Sequence, residues 1–163
     1  MAEEEIANIV EFLEETPRVV RQFSENLSET ELRWKPSEDE FSVLENVCHL
    51  RDIEREGYSH RIEKLLNEEK PFLHDLDGAR MALARDYNNQ DFSAALEDFS
   101  QAREVNARRL AELSVEQLNR SGEFEGVGEI TLEKLLQMMR EHDDGHRQEL
   151  KSRCQKISLE SGV

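Results

Sequence analysis

The stretch from Thr131 to Leu150 constrains this chain more than any other. Leu132, Leu135, Met139, His142, His146, Leu150 and Ile157 follow one another at three-, four- and seven-residue steps, which places them on one face of a long amphipathic helix. His142 and His146 fall inside that apolar arc and stand one above the other, four residues apart. Two imidazoles turned toward a core need a partner that offsets their burial, and a metal ion is the obvious one. The pair supplies two ligands, and a site needs at least a third.

The rest of the sequence must therefore build a helical frame around that face. A chain of 163 residues is long enough to bury a proper core and favours one domain, here residues 1–157, with Ser158 to Val163 expected to fray. Over a third of the residues are charged, and glycine, proline and aromatics are sparse, which suits a helical bundle better than a β-sandwich or barrel. The net charge of −16 repels nucleic-acid phosphates and anionic membranes and leaves no counterion release to drive DNA binding. Neither a nucleic acid nor a membrane is expected as partner. Cys48 and Cys154 form no disulfide pattern, compatible with a reducing compartment. The acidic start Met-Ala-Glu-Glu-Glu does not read as a secretion signal, and no apolar run approaches the roughly 20 residues of a membrane span. These features predict a soluble cytoplasmic protein.

Apolar periodicity divides the chain into four long helices. The first runs from about Glu4 to Leu27, with a kink or restart expected at Thr16-Pro17. A connection containing Trp34 follows. Ser42 and Glu45 form a capping box that opens a second helix to about Asn67, with Leu44, Val47, Leu50, Ile53, Tyr58, Ile62 and Leu65 along its apolar side and His49 in its second turn. Residues 68–90 are irregular and hold at most a short helix after Asp77-Gly78. A connection of this length joins helices that are not simple hairpin neighbours. The third helix spans about Asp91 to Leu113. Residues 121–128 read as a glycine-rich turn, and Thr131 caps the fourth helix. The fold class predicted is all-α, a four-helix bundle with a long crossover between the second and third helices.

Such a bundle can set His49 against His142 and His146, although spacing leaves open whether it reaches them. Three imidazoles with open remaining positions make a catalytic type of site rather than a closed structural one. Imidazole alone does not choose among Zn, Ni, Fe and Mn. Asp52 and Glu56 follow His49 at i+3 and i+7 and are the candidate catalytic bases; the alternative is that they are solvated surface acids. Arg80, Arg85 and Arg103 could hold an anionic substrate or pair with the abundant carboxylates. Cys48 points about a hundred degrees away from His49, and Cys154 and His60 lie more than ten ångströms along their helices from the histidines, so none joins the site.

The segment Trp34-Lys-Pro36…Phe41-Ser-Val-Leu-Glu-Asn-Val-Cys-His49-Leu-Arg-Asp52 and the later Thr131-Leu-Glu-Lys-Leu-Leu…His142-Asp-Asp-Gly-His146 together resemble the DinB/YfiT-like superfamily. There, an aromatic-Ser turn opens the second helix, a His-Leu pair follows, and two histidines four apart on the last helix complete a triad. The resemblance implies a DinB-type bundle in which His49, His142 and His146 bind a divalent metal. It also implies an enzyme that activates a low-molecular-weight thiol or water for transfer to, or hydrolysis of, a small-molecule electrophile, since some members look like thiol-dependent transferases and others like hydrolases. Two alternatives stay open: a bundle that binds metal without turnover, and a metal-free bundle in which the histidines only pack. A homodimer is expected, because partly apolar helical faces pair readily in closed symmetric assemblies.

Overall fold

A computed structural model describes residues 1–161. The bundle is made of α1 (Glu3–Ser24), a rod formed by α3 (Val43–Asp52) and α4 (Ser59–Asn67), α6 (Phe92–Ala111) and α8 (Leu132–Glu160). Short α2 (Glu29–Arg33) joins α1 to the rod. The crossover carries α5 (Gly78–Ala84) and a 3₁₀ turn at Tyr87–Asn89, and α7 (Val115–Leu118) follows α6. Helix α1 packs against α6 and α8, and α3 packs against the same two from the other side. This is the expected four-helix architecture with its long crossover. Among the described residues, no helix is long and apolar enough to cross a membrane.

The expected start signals hold. Ser42 Oγ accepts from the Glu45 amide at 3.0 Å while Glu45 Oε1 accepts from the Ser42 amide at 3.1 Å, so both partners of the box are engaged. Thr131 Oγ1 accepts from the Lys134 amide at 3.1 Å. Four features differ from the sequence-based expectation. Helix α1 continues through Pro17 with no restart. Proline has no N–H to give the carbonyl of Leu13, and Arg103 Nη1, arriving from α6, donates to that oxygen at 2.9 Å. The rod is not uniformly α-helical: Ile53–Tyr58 form a π-helical segment between α3 and α4, which shifts the register of everything after Asp52. The glycine-rich turn is a β-hairpin, β2 (Ser121–Phe124) against β3 (Gly128–Thr131), and the two-residue β1 (Phe72–Leu73) pairs with β2 in parallel. Gly126 and Gly128 both take positive φ, the conformation that glycine adopts without penalty. Finally, α8 continues to Glu160, beyond the Ser158 at which fraying was expected; residues 162 and 163 of that tail lie outside the described residues.

The core has two apolar ends. One gathers Ile9 and Leu13, Ile62 and Leu65, Leu110, and Leu132 to Met139. The other gathers Val20, Val43 to Leu50, Leu96 and Phe99, and Leu150 and Ile157. Between them every long helix contributes polar side chains: Thr16 from α1, His49, Asp52 and Glu54 from the rod, Arg103 and Asn106 from α6, and Asp143 from α8 are all buried. His142, His146 and Arg147 complete this belt on α8. The gaps in the four apolar stripes thus fall at one level of the bundle, and the candidate site lies in that level.

Candidate metal centre

Helix α3 supplies His49 and α8 supplies His142 and His146. One ligand nitrogen from each lies within 4.8 Å of the others. His49 Nε2 and His142 Nε2 are 3.1 Å apart, and the ring centroid of His146 is 4.7 Å from that of His49 and 4.5 Å from that of His142. Nitrogens bound tetrahedrally at about 2.1 Å stand about 3.4 Å apart, so the spacing already approaches that of a shared ion. Burial pushes His49 down to about 3, helped by His146 and His142 and opposed by Asp52. Burial likewise pushes His142 down to about 3, with His146 adding to the effect and Asp143 opposing it. His146 is lowered by burial against the pull of Glu149 and Asp143. Neutral imidazole is the form that binds a metal.

The orientation of His146 follows from the hydrogen bonds around it. Asn46 Nδ2 donates to the Ser42 carbonyl at 3.0 Å, which turns its Oδ1 toward His146 Nδ1 at 2.8 Å. Nδ1 must then carry the proton, leaving the Nε2 lone pair free for an ion. Glu149 stands farther off, 3.6 Å from the same nitrogen. His49 Nδ1 and His142 Nδ1 are buried with no hydrogen-bond partner; apart from the approach of their Nε2 atoms to each other, packing sets those two rings, against Phe41 at 5.6 Å between centroids for His49 and Tyr58 at 5.8 Å for His142. The convergent Nε2 atoms fit an ion, and the two partnerless Nδ1 atoms are what such a site costs. Asn46→Ala is expected to weaken zinc binding about 10–100-fold, the usual cost of removing a ligand's outer partner. Competition against a chromogenic chelator measures this, and an unchanged affinity would show that packing orients His146 as well.

Asp52 stands one turn beyond His49 at the end of α3, as its spacing implies, whereas Glu56 falls inside the π segment; neither is a free base. Asp52 accepts from Arg51 Nε at 2.7 Å, Tyr87 Oη at 2.6 Å and Arg85 Nη1 at 2.9 Å. Burial raises its pKa, and these three donors outweigh that and hold the carboxyl below its ordinary value. Glu56 is exposed and takes a two-pronged contact from Arg85, because the π segment carries it off the His49 face. No hydrogen bond joins either carboxylate to a triad ring among the described residues. Both instead fasten the crossover to the rod.

Two of the three candidate arginines, Arg85 and Arg103, are not free to hold an anion. Arg85 is spent on Asp52 and Glu56, and Arg80 is exposed. Arg103 is wholly enclosed between Glu54 at 2.8 Å and Asp143. Burial disfavours its charge, but the two carboxylates outweigh this and raise its pKa. Asn106 Nδ2 donates to Glu54 Oε1 at 2.8 Å, and Thr16 Oγ1 donates to Asp143 Oδ2 at 2.6 Å. Asp143 follows His142 directly, so this network holds the α8 turn that carries the triad. Cys48 is buried and pushed up to about 11 by burial, an inert thiol. His60 is exposed, and the exposed His74 ring lies by Glu125. Spacing could have found Asn46, three residues before His49 on one helix face. Nothing local announced Glu54, whose place depends on the π segment.

No curated protein matches the chain. Among solved structures, YfiT from Bacillus subtilis, described as "a probable metal-dependent hydrolase with an unusual four-helix bundle topology", superposes with a TM-score of 0.86 at 22% identity, covering 99% of this chain and 90% of that one. That likeness establishes the fold. The model of the DinB superfamily matches residues 13–150, so all three histidines lie within the match and the chain belongs to the DinB superfamily.

Proposed function

We propose that the chain is a divalent-metal-dependent enzyme whose ion is held by His49, His142 and His146 and whose substrate is a small electrophilic molecule. The observation that carries this reading is the convergence of three neutral imidazoles on one point in the middle of the bundle. A divalent ion bound by three neutral ligands keeps its full charge and lowers the pKa of a water or thiol in an open position toward neutrality. Hydrolysis with water as nucleophile is the first reading, in keeping with the description given to YfiT. The second is transfer of a low-molecular-weight thiol. It is favoured by the engagement of Asp52 and Glu56 with Arg85, because a thiol, ordinarily near pKa 8.5, needs less help from a base than water does. In either reading Asn46 keeps the His146 Nε2 lone pair turned to the ion, while the Arg103–Asp143 pair holds the turn of α8.

Elemental analysis of untagged protein tests the reading. About one Zn, Ni, Fe or Mn per chain is expected in the wild type, and its loss is expected in both His49→Ala and the His142→Ala/His146→Ala double variant while helicity persists. A wild type that carries no metal and takes up none on addition would end it. Assays of the loaded protein on a model ester and on a model electrophile, each with and without added thiol, then separate water from thiol as the nucleophile.

A further inference from the structure

We infer that Gly78, at the start of α5 in the crossover, is a positioning residue of the metal centre: its lack of a side chain leaves the room in which the His49 ring stands with Nε2 toward His142 and His146. The inference rests on the triad reading above. A Cβ built on Gly78 would lie 2.6 Å from His49 Cε1 and 2.8 Å from His49 Nδ1, closer than atoms approach without one of them moving.

The backbone gives no other reason for glycine here. Among the described residues, the glycines with positive φ are Gly126 and Gly128; Gly78 is not one of them. Asp77 caps α5, its Oδ1 accepting from the Arg80 amide at 3.0 Å, and Gly78 is the first residue of the helix. Glycine is among the poorest helix formers, and alanine the best. A residue that local propensity disfavours, in a conformation any residue can adopt, points to a spatial requirement, and the nearest atoms to the missing Cβ all belong to His49.

The collision must move the ring rather than the crossover. The segment is tied down from its far end: Arg85 grips Asp52 and Glu56, and Tyr87 Oη donates to Asp52 Oδ2 at 2.6 Å. His49 is held less firmly: its Nδ1 is buried with no hydrogen-bond partner, and its Nε2 meets the Nε2 of His142, a ring whose own Nδ1 has no partner. What bounds its ring is Phe41 and the other two imidazoles together with the bare backbone at Gly78. A methyl group at 78 therefore displaces the imidazole from the position in which its Nε2 faces His142 and His146. Asp52 and Glu56 act on the metal centre through this route, by fastening the crossover that carries Gly78.

The test combines metal binding with a stability cycle. Zinc affinity is measured by chelator competition and the Co(II) visible spectrum recorded for wild type and Gly78→Ala; thermal unfolding of the metal-free protein is measured for wild type, Gly78→Ala, His49→Ala and the double variant. The expected result is at least about a tenfold loss of zinc affinity in Gly78→Ala with an altered Co(II) spectrum. In the His49→Ala background the same substitution is expected to be neutral or stabilising, because the ring it collides with is gone. Wild-type affinity in Gly78→Ala would overturn the inference, and so would equal destabilisation in both backgrounds, which would place the effect in the backbone. Should Gly78→Ala alone not fold, recovery of folding in the double variant supports the inference and failure there overturns it. A wild type that binds no zinc refutes the triad itself, a result distinct from a wild type and a Gly78→Ala that bind it equally.

Discussion

Replacing Arg103 by methionine is expected to lower the unfolding free energy by about 3–5 kcal/mol, the penalty for removing one partner of a buried ion pair. Glu54 and Asp143 are fully buried, and without the guanidinium they would stand as uncompensated carboxylates in a dry layer. The Leu13 carbonyl, which Pro17 leaves without a helical donor, would lose the Arg103 donor that replaces it. Urea unfolding monitored by circular dichroism gives the number. A triple variant, Arg103→Met with Glu54→Gln and Asp143→Asn, is expected to regain most of the loss, because it removes the charges together. A loss below about 1 kcal/mol in Arg103→Met would mean that water or a shifted Arg147 satisfies the two acids and that the belt is not sealed.

The second large effect is stabilisation by metal. An ion that binds the folded chain alone adds about 4 kcal/mol at a free concentration a thousand times its dissociation constant. For a domain of this size that is roughly 8–16 °C in melting temperature. Adding zinc to the metal-free protein is expected to raise the transition by this order, chelator to reverse it, and the His142→Ala/His146→Ala variant to show no such response. The ion would tie α3 to α8 at the level of the polar belt. A wild type indifferent to zinc, nickel and manganese would leave the triad as packed imidazoles.

What could be read from the sequence was whatever repeats or sits next to its partner. The apolar stripes gave four helices, Ser42 with Glu45 and Thr131 marked two starts, and the i, i+4 histidines on an apolar arc pointed to the site before any contact was known. What could not be read depended on distant partners. Pro17 reads as a kink or restart because the donor that serves the carbonyl it leaves open, Arg103, lies 86 residues away in sequence. Helical periodicity has no means of registering the π segment, so it sets Glu56 on the face of His49 and gives no sign of Glu54. Strands of two to four residues, as in β1, β2 and β3, are too short to show an alternation against a glycine-rich background.

The three ligands of the proposed centre are not equally held. His146 is hydrogen-bonded to Asn46, whereas His49 and His142 have partnerless Nδ1 atoms and are confined by neighbouring surfaces. A coordination sphere with one hydrogen-bonded ligand and two set by packing takes its angles from the walls around it. It follows that the geometry offered to an ion can be retuned from outside the ligand set, at Phe41, Tyr58 or Gly78, with all three histidines left in place.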